Sequence, residues 1–175
     1  MKKPFVAGAG ALAACLLASL LASPGHAETK TLARAGSWTA FGGTTTGKGR
    51  GVCGISAEPG GRYFGLKLFA GDDAFTIQMG TKAWNLTDGG KVELTMQFDA
   101  HPMWRARGTA FHFADGDAGL EVSVNRNELD RYQFEFRSSS QLQIKFKGVL
   151  PDWRLGLEGT NAVNAAFQTC VRNLK

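Results

Sequence analysis

The chain has 175 residues, 43% of them hydrophobic, enough for one domain with a sizeable core. Its 20 Lys and Arg against 15 Asp and Glu give a net charge of +5. That surplus is too mild to mark a nucleic-acid-binding protein, and it excludes nothing about other partners.

Met1-Lys2-Lys3 is a positive opening, after which Phe5 to Leu21 runs without a charge and is rich in Ala, Leu and Gly. Ala22-Ser23-Pro24-Gly25-His26-Ala27 follows, with Gly25 and Ala27 placed for cleavage before Glu28. The expectation is a signal peptide over residues 1–27 and a single β-rich domain over residues 28–175, delivered to the periplasm or secreted by a bacterium. The apolar run is about as long as the shortest membrane spans. Its Gly and Ala content and small-residue exit favour removal, leaving no membrane span after processing. A competing reading starts from Leu12-Ala13-Ala14-Cys15, which has the form of a lipobox and would anchor the protein through an acylated Cys15. The hydrophobic run continues past it through Leu16, Leu17, Leu20 and Leu21, as an ordinary signal segment would. Removing residues 1–27 leaves 148 residues and lowers the net charge to +3.

Cys53 and Cys170 are then the only cysteines. An even pair in an oxidising compartment reads as a disulfide, here joining positions 117 apart. Neither lies in a Cys-x-x-Cys motif, so a structural bridge is expected in preference to a redox pair.

From Val52 onward the chain alternates like strands. Tyr63 to Phe69 and Ala74 to Met79 flank a turn at Ala70-Gly71-Asp72-Asp73, and Val92, Leu94, Met96 and Phe98 face away from Glu93, Thr95 and Gln97. Leu142, Ile144 and Phe146 alternate with Gln143, Lys145 and Lys147, and Trp153, Leu155 and Leu157 make a last short strand. Asn127 to Arg137 is ambiguous. Leu129, Tyr132 and Phe136 recur at helical spacing with Asn127 as cap, yet Tyr132 to Phe136 also alternates. Thr160 is a candidate N-cap for a C-terminal helix with Val163, Ala166, Phe167 and Cys170 on its apolar stripe. The predicted fold is mainly β (α+β): an antiparallel β-sandwich or barrel-like domain with a C-terminal helix, and one further short helix if Asn127–Arg137 takes that form.

Chemical motifs are weak. Gly42 to Gly49 nearly spells a phosphate loop, but Gly49 follows Lys48 where Ser or Thr is needed, and a strand-like run follows. It reads as a loop between strands. His101 and His112 have no partner at metal-ligand spacing, and no Gly-x-Ser-x-Gly elbow supports a catalytic triad. Asp115-Gly116-Asp117 lacks the rest of a calcium loop and reads as a hairpin turn. Asn85-Leu86-Thr87 is a glycosylation sequon, meaningful only in a eukaryotic host. No catalytic, cofactor-binding or metal-ligating set is predicted, and no cofactor. The constellation to follow is basic: Arg105 and Arg107 share one face of a strand, and Lys145 and Lys147 one face of another. Were those strands to adjoin, four cations would suit an acidic polymer, a lipid headgroup or an acidic protein face.

Leu157-Glu158-Gly159-Thr160 followed by Asn161 to Cys170, a short strand leading into Gly-Thr and an Ala-rich helix ending in Cys, resembles the invasion-associated locus B family of exported alphaproteobacterial proteins. Gly36-Ser37-Trp38, Cys53 and the block from Asn127 to Phe146 extend the resemblance over most of the mature chain. It implies an exported, β-rich, disulfide-bonded protein and supplies no catalytic residues. The chain departs from the family pattern in the Gly/Thr stretch from Gly42 to Gly51 and in the distance from Trp38 to Cys53. The expected function is a non-enzymatic envelope protein that binds another envelope or host protein, or an acidic envelope polymer, with no nucleic acid involved. An inhibitor or stabiliser of a periplasmic enzyme is the second reading, and a hydrolase using His101 or His112 the third.

Overall fold

The computed structural model describes residues 28–45, 49–148 and 150–174. The expected signal peptide, Cys15 and the centre of the Gly/Thr stretch lie outside these residues. The elements in chain order are β1 (Glu28–Ala35), β2 (Trp38–Thr44), β3 (Gly51–Ala57), β4 (Tyr63–Phe69), β5 (Ala74–Gly80), β6 (Lys91–Phe98), β7 (Trp104–His112), β8 (Ala118–Asn125), α1 (Leu129–Ser138), β9 (Gln141–Phe146), β10 (Trp153–Gly156) and α2 (Thr160–Arg172). Among the described residues the strands form one antiparallel sheet in the order β1-β2-β3-β4-β5-β8-β7-β6-β9-β10. The fold is thus mainly antiparallel β with two helices, one of them C-terminal, as the alternation predicts. No helix among the described residues is long and apolar enough to cross a membrane.

The first five strands pair in chain order as antiparallel neighbours, with short Gly-containing turns after β1, β3 and β4. The chain then skips two places, lays down β6, and fills the gap with β7 and β8. As a result β6 is flanked by β7 on one side and β9 on the other.

One face of the sheet is apolar. Ile55, Phe64, Leu66, Phe75, Ile77, Met96, Phe98, Leu120 and Ile144 all point to it and are buried. The sheet curls around α1, whose Tyr132 ring lies 5.3 Å from Phe75 and 5.2 Å from Phe98, while Phe136 meets Trp38 at 4.9 Å. The curl brings the two sheet ends together. The Trp38 indole N–H of β2 donates to the Gly156 carbonyl of β10 at 3.1 Å. No ladder joins β1 to β10, so the sheet is not closed into a barrel.

The ambiguity over Asn127–Arg137 resolves as helix. Its cap differs from the expectation: the Asn125 side chain accepts from the Asn127 N–H at 2.9 Å, so the turn begins two residues earlier. In α2 the cap position belongs to Gly159, at φ +91°, a backbone region open to glycine, and a Cβ there would lie 2.6 Å from the Ala35 carbonyl. Thr160 is the first helical residue instead, with its buried hydroxyl 2.8 Å from Leu157 O and 3.0 Å from Phe136 O. It ties the start of α2 to the end of α1. Cys53 and Cys170 are bonded, which fixes the far end of α2 to β3.

Asp99, at φ +40°, carries the link from β6 to β9. Its carboxylate accepts from Ser140 N at 2.7 Å, Gln141 N at 3.0 Å and the Ser140 hydroxyl. The Ser140 backbone N–H, more than any other group, holds the carboxyl below its usual range. A depressed carboxyl stabilises the fold above its unfolded pKa, and that contribution is lost as pH falls through the lower folded value. Stability should therefore drop below about pH 4, and less steeply in Asp99→Asn. Urea titrations at pH 3 and pH 7 measure this; equal pH dependence in both proteins would contradict it.

Candidate functional site: the basic outer face

The four cations singled out in the sequence meet on the solvent side of β6. Arg105 on β7 and Lys145 on β9 are both register partners of Thr95. Arg107 is the register partner of Glu93, and Lys147, one residue past β9, donates its backbone N–H to the Glu93 carbonyl at 2.8 Å. This produces two parallel rows, Lys145–Thr95–Arg105 and Lys147–Glu93–Arg107. Strand spacing sets the cations about 10 Å apart across the sheet, and side-chain alternation sets them about 7 Å apart along it. An open groove of about 650 Å³ runs between them.

The centre of the groove carries a carboxylate. Glu93 accepts from Lys147 at 2.9 Å and from Arg107 at 3.2 Å, and these partners, Lys147 first, hold its carboxyl below the usual range. Neither Arg105 nor Lys145 has an ion-pair partner among the described residues. Four cations against one carboxylate leave the groove at a net +3. Glu93 organises two of the cations and leaves the other pair available. The alternation of β6 already put Glu93 on this face; what the sequence lacked was the order β7-β6-β9 that places it between the basic pairs.

The histidines do not come together. His101 precedes β7 and His112 ends it, so the two lie at opposite ends of a nine-residue strand. His101 lies edge-on to the Phe134 ring at 6.0 Å. The His112 Nδ1 is 2.6 Å from Asp88 Oδ1 on the surface, a contact the spacing did not suggest. Asp115 and Asp117 form a turn, with Asp115 Oδ1 accepting from Asp117 N at 3.2 Å. Among the described residues no three His, Cys, Asp or Glu side chains are grouped so as to hold a metal.

A second polar cluster was not foreseen. Glu135 of α1 is buried, accepting from the Trp104 indole N–H at 2.5 Å and from Arg131 Nε at 2.9 Å, with the Arg131 guanidinium 4.2 Å above the Trp104 ring. The Glu135 carboxylate is matched by these two donors, and Arg131 also reaches Glu128 at 3.5 Å, so the cluster fastens α1 to β7. Compared with family models, curated proteins and solved structures, the chain matches none.

Proposed function

We propose that this protein is an exported, non-enzymatic envelope module that holds an acidic polymer against the outer face of β6, β7 and β9. The observation that carries the reading is the pair of rows Lys145–Thr95–Arg105 and Lys147–Glu93–Arg107, which presents four cations around one open groove. Repeated anionic groups along a polymer match cations repeated in two directions, whereas a compact anion needs them converging on one point. The Cys53–Cys170 bridge supports export, since disulfides persist in oxidising compartments. Kinship with the invasion-associated locus B family belongs to the same proposal, resting on the run from Leu157 to Cys170.

Polygalacturonate, a carboxylated polysaccharide, is a suitable probe. The protein should bind it at low salt, with log K falling at a slope of roughly −2 against log salt as counterions are released. The double variant Arg105→Ala/Lys145→Ala should bind at least about tenfold more weakly, because it removes the two cations that Glu93 leaves unmatched. Neutral dextran should not bind. Equal affinity in wild type and variant would overturn the assignment of the groove.

A further inference from the structure

A second cleft opens on the same outer face, toward the β7–β8 hairpin, with a volume of about 420 Å³. Its walls are the rings of Tyr63 and Phe113, 5.3 Å apart and inclined at 74°. Glycines on adjacent strands set these rings in place. A Cβ on Gly80 would come 2.5 Å from the Phe113 ring and one on Gly119 2.7 Å from it, while the Tyr63 hydroxyl covers Gly65. The rings therefore lie close over the sheet, and Phe111, 4.6 Å from Phe113, backs them.

The polar groups of the cleft are of both kinds. Lys67 extends beside Tyr63, its Nζ 5.9 Å from the ring centroid, and donates to Gln78 Oε1 at 2.7 Å. Gln78 in turn donates to Glu121 at 2.8 Å, so the lysine is held at the end of a fixed chain. Burial lowers the pKa of Lys67, and the Tyr63 hydroxyl is pushed up to about 12, chiefly by burial and further by Glu58. The phenol stays a protonated donor at neutral pH. Carboxylates of Glu58, Asp115 and Asp117 line the rim.

This combination selects by elimination. A cationic ligand would face Lys67, and an anionic one would face three carboxylates. A neutral polyhydroxylated ring meets neither obstacle. Each of its hydroxyls both donates and accepts, so it uses ammonium, phenol and carboxylates together, while its C–H face lies against the aromatic walls. The cleft volume falls in the range of small-molecule sites.

We infer that the cleft formed by Tyr63, Phe113, Lys67 and the Glu58–Asp117 rim binds a neutral sugar residue. The inference is independent of the basic groove and holds whether or not the polymer reading does.

Three neutral oligosaccharides serve as probes: maltotetraose, cellotetraose and chitotetraose, assayed by saturation-transfer NMR and by protein chemical-shift titration. At least one should bind, with shifts at Tyr63, Lys67 and Phe113. Affinity should fall at least about tenfold in Phe113→Leu, which keeps apolar bulk but removes the ring face, and in Lys67→Gln. Both variants should melt within a few degrees of wild type, and Arg105→Ala/Lys145→Ala should bind the sugar as wild type does. Failure of all three sugars to bind at millimolar concentration would overturn the inference. So would binding that survives both cleft variants, or preferential capture of choline, which would make the cleft a cation site.

Discussion

Replacing Cys53 and Cys170 by Ser lowers the unfolding free energy by about 4–5 kcal/mol, the chain-entropy value for so long a loop. The bridge closes 117 positions and joins β3 to the last turn of α2. Without it the start and end of the domain meet only through packing and side-chain bonds. For a domain of this size the melting temperature should drop by roughly 10–15 °C. Thermal denaturation of the double variant, and of wild type with and without reductant, measures this. A loss below about 1 kcal/mol would mean that the ends of the fold are held by other means.

Trp38→Ala has the next largest expected effect, about 3–5 kcal/mol, as for other buried large aromatics. Trp38 is 1% exposed, packs edge-on against Phe64 at 6.1 Å and Phe136 at 4.9 Å, and bonds Gly156 across the gap between β2 and β10. Trp38→Phe keeps most of the ring packing and removes the indole N–H, so its cost should be about 1–2 kcal/mol. The difference between the two variants separates packing from the bond that spans the open curl. Chemical denaturation of both gives the comparison; equal losses would assign the whole effect to the bond with Gly156, and no loss in Trp38→Phe would assign it to packing.

The elements most legible in the sequence are those with one buried and one wet face. On β6, Leu94, Met96 and Phe98 are buried while Glu93, Thr95 and Gln97 reach the outer face, and the period-two pattern follows directly. Glu28 to Ala35 gives no such signal because β1 is an edge strand whose first five residues are all exposed. β2 was hidden for a different reason. Its Gly42 and Gly43 read as loop, yet a Cβ on Gly42 would sit 2.6 Å from the Cys170 sulfur. The glycine there makes room for the disulfide. In α1, Tyr132, Gln133 and Phe136 share the buried side, and Phe134, the residue a strand reading would have buried with Tyr132 and Phe136, is 51% exposed. Helical spacing prevailed because the helix lies inside a curled sheet and needs one wide apolar stripe.

The basic groove was half legible. Both strand pairs, Arg105 with Arg107 and Lys145 with Lys147, follow from alternation alone, but their meeting depends on β6 lying between β7 and β9. That order comes from the skip after β5, a long-range choice of pairing that local pattern does not encode. The same holds for the aromatic cleft, where Tyr63 and Phe113 come from elements fifty positions apart in the chain.

Polymer binding on the basic groove is tested most directly by a residue-resolved NMR map of polygalacturonate on the disulfide-bonded protein at low salt. Shifts should concentrate at Glu93, Thr95, Arg105, Arg107, Lys145 and Lys147 and reverse when the salt is raised. Shifts centred on α1 and the exposed Phe134, or none at any residue of β6, β7 and β9, would contradict it.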